Sequence, residues 1–143
     1  MLICEIGLNH LGSSKWSDVM LHHVLDSKID AITFQIRENQ FYENGFAFLK
    51  LDENYYSQAI KKVKSRAKKF GIALSNLDYL SFFESLGTDF YKILSKDITN
   101  LDFLQKFRQN TSKDIYLSTG ISSEKDINKA LEILGRKTTL IHT

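Results

Sequence analysis

A chain of 143 residues is long enough for one domain with a substantial core. With 43% hydrophobic and 25% charged residues and a net charge of only +2, it indicates neither disorder nor a polyanionic partner such as nucleic acid. Cys4 is the only cysteine, which excludes an internal disulfide, and no apolar run approaches the ~20 residues of a membrane span; the default location is the cytoplasm.

Apolar segments of strand length alternate with amphipathic segments of helix length, as a parallel sheet with crossover helices requires. Six strands are predicted: Leu2–Ile6, Ala31–Gln35, Ile72–Ser75, Phe90–Leu94, Ile115–Ser118 and Thr138–Ile141. Between the first two, a helix from about Ser14 is expected to turn Trp16, Met20, His23 and Val24 toward the sheet, with His22 on the surface. Residues Arg37 to Asn54 show no period and predict a long loop at the end of the second strand, placed to cover a substrate or simply packed on the surface. Tyr56, Ile60, Val63, Ala67 and Phe70 then draw one apolar stripe along a helix, with Gly71 as its C-cap and six Lys or Arg residues on the solvent face. Three further helices follow: one burying Leu80, Phe83 and Leu86, one from about Asn100 burying Leu101, Leu104 and Phe107, and a last one opened by Ser123 and Asp126 in capping-box spacing. That last helix should bury Ile127, Ala130, Leu131 and Leu134 and stop at Gly135.

Such repeats build either an open doubly wound sheet or a closed barrel. Gly7 and Gly12 are too sparse for a dinucleotide cradle, and polar residues collect at the end of strand after strand: Glu5 and Asn9-His10, Gln35, Ser75-Asn76, Ser118-Thr119-Gly120. The densest group is Lys92, Ser95 and Asp97, a cation, a hydroxyl and a carboxylate at one strand's C-terminal end, where barrels place their chemistry. The expected fold is therefore an α/β, (β/α)8-type barrel, incomplete at about six parallel strands.

The segment Glu5-Ile6-Gly7-Leu8-Asn9-His10-Leu11-Gly12 resembles the opening motif of the sialic acid synthase (NeuB-like) family. Further matches follow in chain order: Ala31–Gln35, Leu74–Asn76, Tyr91–Asn100, Leu117–Ser122 and Leu140–Thr143. The resemblance implies an enzyme that condenses phosphoenolpyruvate with an N-acetylated amino sugar to give a sialic-type acid and phosphate. It also implies a divalent metal, Mn or Mg, and a homodimer completed by an antifreeze-like domain. By similarity, Lys92, Ser95 and Ser118 fall where the family holds phosphoenolpyruvate, with Ser75 and Asn76 beside them. Asp97 matches a carboxylate near the reacting carbons, and Glu5, Asn9 and Gln35 would line the same mouth.

Three departures accompany these matches. Thr33 stands where the family carries a phosphate-binding lysine, Asn76 replaces a threonine, and Lys96 replaces a glycine, a place from which it could restore the missing charge. The matches end with the sixth strand, so the expectation is one partial barrel domain over residues 1–143, without the family's metal-binding histidines or antifreeze-like domain. Two readings compete: a synthase segment that is inactive unless a second chain supplies the remaining strands, and a non-catalytic module of the same fold. An adjacent reading frame that carries the missing strands and an antifreeze-like domain would favour the first, and phosphate release from phosphoenolpyruvate with manganese and an N-acetylated amino sugar would show the chain active alone, against both.

Overall fold

The structure, a computed structural model, describes residues 1–143. Six parallel strands alternate with helices: β1 (Ile3–Gly7), α1 (Ser14–Leu25), β2 (Ala31–Ile36), α2 (Asn39–Phe41), α3 (Glu53–Ser65), β3 (Lys69–Leu74), α4 (Leu80–Ser85), β4 (Phe90–Ile93), α5 (Leu101–Gln109), β5 (Asp114–Ser118), α6 (Glu124–Leu134) and β6 (Thr138–Ile141). Strand order follows chain order, β1-β2-β3-β4-β5-β6. The chain forms two compact units, Met1–Ile72 and Ala73–Thr143.

In the first unit β1 and β2 pair in parallel, Ile3 opposite Ala31 and Glu5 opposite Thr33, with a register shift between Glu5 and Gly7. Its core centres on Phe34, fully buried, stacked on Phe70 at 5.7 Å between centroids and met edge-on by Tyr55 and Tyr56. Such aromatic groups supply the largest apolar areas a chain can remove from water, and the tilted geometry suits their quadrupoles. α3 is started by Asp52, whose carboxylate accepts the Tyr55 N–H at 2.7 Å, and it buries Tyr56, Ala59, Ile60 and Val63.

Three expectations for this unit are corrected. α1 buries Ser17, Leu21 and Leu25, while Trp16 and His23 are exposed; the inward face is rotated by one residue, about 100° on a helix. The reason is polar: the Ser17 hydroxyl accepts a hydrogen bond from Tyr55 at 2.6 Å, so a serine can take a core position. α3 ends at Ser65, because Ala67 adopts a left-handed φ of 54°; Phe70 and Gly71 therefore belong to β3, which starts at Lys69. Residues 37–54 are mostly wound rather than a plain loop: α2 leads into a π-helical turn, Tyr42–Phe46, and a 3-10 turn, Ala47–Leu49.

In the second unit β4, β5 and β6 pair in parallel, with Lys92 opposite Tyr116, Ile93 opposite Leu117 and Ser118 opposite Ile141. One face of β4 and β5 carries Tyr91, Ile93, Ile115 and Leu117, all buried, and packs on helices that bury Phe83, Leu104, Phe107, Ala130 and Leu134. α6 opens with the capping box expected of Ser123 and Asp126 and stops at Gly135, whose φ is 75°. Asn100 caps α5 by accepting the Phe103 N–H. No helix is long and apolar enough to cross a membrane.

Candidate functional site

Side chains alternate across a strand, so the residues that do not face the helices face the other way. Lys92 lies opposite Tyr116, and Ser118 is two residues further along β5, which puts Lys92 and Ser118 on one face about 7 Å apart along the strands. Ser118 is buried, and its hydroxyl has no hydrogen-bond partner. A buried hydroxyl without a partner costs free energy, which a ligand acceptor would recover.

Ser95 follows β4 and meets Gly120, which follows β5. A Cβ built on Gly120 would lie 2.7 Å from Ser95 Cβ and 2.9 Å from its Oγ, and the glycine also has a φ of 53°. Only a residue without a side chain lets these two strand ends approach so closely. The Gly120 N–H donates to the Thr143 hydroxyl at 3.0 Å, and Thr119 bonds the Ile141 carbonyl through both its N–H and its hydroxyl, which ties the end of β5 to that of β6. Sequence motifs contain Gly120, but its role as a contact surface for Ser95 appears only in the fold.

Asp97 sits in a 3-10 turn after β4 and is buried. Its Oδ2 accepts the Ser75 hydroxyl at 2.6 Å and its Oδ1 lies 2.7 Å from the Lys96 ammonium. Lys96, expected to restore a missing charge, has its ammonium engaged by this carboxylate. Asn76 is buried and caps the next 3-10 turn, its side-chain carbonyl accepting the Asp78 N–H at 2.9 Å. Lys92, Ser95, Ser118, Ser75, Asn76 and Asp97 thus gather at the C-terminal ends of β3, β4 and β5.

The first unit holds its own group. Glu5 and Gln35 flank Gly7: a Cβ there would lie 3.9 Å from an oxygen of each. Asn9 is exposed in the turn that follows, its N–H bonded to the Ile6 carbonyl. Thr33, fully buried, has a hydroxyl without a partner, and so does Nε2 of His10, whose Nδ1 accepts the Gly12 N–H at 3.0 Å. Burial pushes the His10 ring below its ordinary pKa of 6.5, an effect opposed in part by the Gly7 carbonyl. Nowhere do three or more His, Cys, Asp or Glu side chains form a group that could hold a metal ion. The divalent metal implied by the sequence resemblance therefore finds no fitting donor set among these residues.

Comparison with known proteins shows the family and the fold. The N,N'-diacetyllegionaminic acid synthase of Campylobacter jejuni is 30% identical over a 155-residue alignment covering 94% of this chain and 46% of the relative. The crystal structure of the N-acetylneuraminic acid synthetase of Leptospira borgpetersenii superposes with a TM-score of 0.86 at 24% identity, over 97% of this chain and 52% of that one. A spore coat polysaccharide biosynthesis protein from Bacillus subtilis gives 0.82 at 15% identity, over 98% of this chain and 42% of that one. At such identities the structural likeness shows the fold, an incomplete (β/α)8-type barrel; the chain spans about half the length of these relatives. The NeuB family model matches residues 15–143, nine-tenths of the chain, and with the Campylobacter relative aligned along nearly all of it, this protein belongs to the NeuB family.

Proposed function

We propose that this chain is the phosphoenolpyruvate-binding part of a sugar-acid synthase, whose acceptor is an N-acetylated amino sugar. The observation that carries the reading is the convergence of Lys92, Ser95 and the partnerless Ser118 hydroxyl at the ends of β4 and β5. One ammonium and two hydroxyls offer the charge and donors that phosphate and carboxylate oxygens require. In the condensation, C3 of phosphoenolpyruvate forms a bond to the aldehyde carbon, the aldehyde oxygen gains a proton, C2 takes up water and phosphate leaves. Asp97, held on both oxygens, has the fixed carboxylate that could order that water.

Binding without turnover is the expected behaviour of this chain by itself, since it gathers no metal donors and Thr33 takes the place of the family's lysine. Calorimetric titration with phosphoenolpyruvate tests the reading. Lys92→Gln should weaken binding at least about tenfold, the scale of one charge-assisted contact. A titration unchanged by Lys92→Gln and by Ser118→Ala overturns it.

A further inference from the structure

We infer that Lys96 is a positioning residue for the phosphate-bearing anion held at the ends of β4 and β5, and that it acts through Asp97: its ammonium cancels the charge of a buried carboxylate that would otherwise repel the anion. The inference rests on the proposed function for the presence of an anion, and on the second unit alone for its geometry.

Ser95, Lys96 and Asp97 are the three residues of one 3-10 turn, a winding that rises only about 2 Å per residue. An anion on the Ser95 hydroxyl is therefore within a screening length, about 8 Å in physiological salt, of the Asp97 carboxylate. That carboxylate has little access to water. Its side chain is 11% exposed, and the Ser75 hydroxyl donates to Oδ2 at 2.6 Å. Oδ1 faces Lys96, whose ammonium folds back along the turn to 2.7 Å although the lysine side chain is 38% exposed.

A lysine at the surface gives up rotamer freedom when it pairs, and a pair between two exposed groups returns little for that loss. A desolvated carboxylate returns more, because water no longer screens the attraction and an unpaired buried charge is costly. The burial of Asp97 thus explains why Lys96 turns inward. Among the groups at these strand ends Lys92 and Lys96 are the cations and Asp97 is the anion. Without the Lys96 charge, Lys92 and Asp97 would cancel, and the Ser95 and Ser118 hydroxyls would be left to hold a multiply charged phosphate compound. With Lys96 in place one positive charge remains over. Lys96 therefore strengthens the site without touching the ligand, since its ammonium is held by Asp97.

Calorimetric titration of the full chain with phosphoenolpyruvate and, separately, with inorganic phosphate tests this in a double-mutant cycle. Lys96→Met and Lys96→Gln should each weaken binding about tenfold, while Lys96→Arg, which keeps the charge, should stay within about twofold of the parent. In the Asp97→Asn background, removal of the Lys96 charge should change affinity less than about twofold, because an ammonium with no carboxylate to hold it returns to solvent. A loss that persists undiminished in that background would mean that Lys96 contacts the ligand itself. A lower melting temperature with unaltered affinity in Lys96→Met and Lys96→Gln would mean that the pair is only structural, and either result overturns the inference. Phosphate that follows the cycle while phosphoenolpyruvate fails to bind the parent chain would overturn the proposed function and uphold the inference; binding of neither would overturn both.

Discussion

His10 shows how a single side chain links sequence, burial and pH. Its ring is fully buried, accepts the Gly12 N–H and has a depressed pKa. A group whose folded pKa lies below its unfolded value stabilises the fold above the unfolded value and loses that contribution as pH falls through the folded one. Stability should therefore fall on acidification from about 6.5 downward. Urea midpoints measured from pH 8 to pH 5 should show that slope in the parent chain and lose it in His10→Asn, which costs about 1–2 kcal/mol at pH 8 for the poorer acceptor. Tyr55 predicts the opposite sign at the alkaline end. Burial pushes its phenol up to about 12 from an ordinary 10.0, against the opposing hydrogen bond to Ser17. Its contribution is complete below pH 10 and is lost as pH rises toward 12, so Tyr55→Phe should flatten the melting curve in that window.

At the scale of an element, caps and glycines decide where the chain turns. Asp52→Ala removes the carboxylate that accepts the Tyr55 N–H and should destabilise the first unit by about 1 kcal/mol, read as a shift in urea midpoint. Gly12→Ala should cost more, about 2–4 kcal/mol, because the new methyl would coincide with the Phe48 carbonyl and the φ of 76° is unfavourable for alanine. Its signature is specific: the backbone shifts of residues 46–49 should move in NMR spectra while those of α6 stay in place. The capping box of α6 and its glycine stop were legible because they join residues three to four apart, within reach of sequence spacing. The end of α3 was not. Ala67 and Phe70 continue the apolar stripe up to Gly71, and nothing local tells that the helix is left before them; pairing of Lys69–Leu74 as a strand settles it.

For the whole molecule, each unit depends on a few large apolar groups. Phe34→Ala should cost about 3–5 kcal/mol through the cavity left against Phe70, Tyr55 and Tyr56, a large part of a typical domain's 5–15 kcal/mol, and chemical denaturation would measure it. The alternation of strand and helix, the expected barrel-type fold and the polar character of the strand ends were set by the sequence itself, because period-two and period-3.6 patterns arise from neighbours along the chain. The grouping of Lys92, Ser95 and Ser118 was expected from a resemblance, and the register of β4 against β5 gave it geometry. Tertiary structure alone decided which face α1 buries, since Ser17 becomes a core residue only through Tyr55, 38 positions away. It alone decided that residues 37–54 wind into short helical turns, and that Lys96 meets Asp97. For Ser17 the physical reason is that a polar group is tolerable in the core only where a partner satisfies it, and a partner distant in sequence leaves no trace in local periodicity.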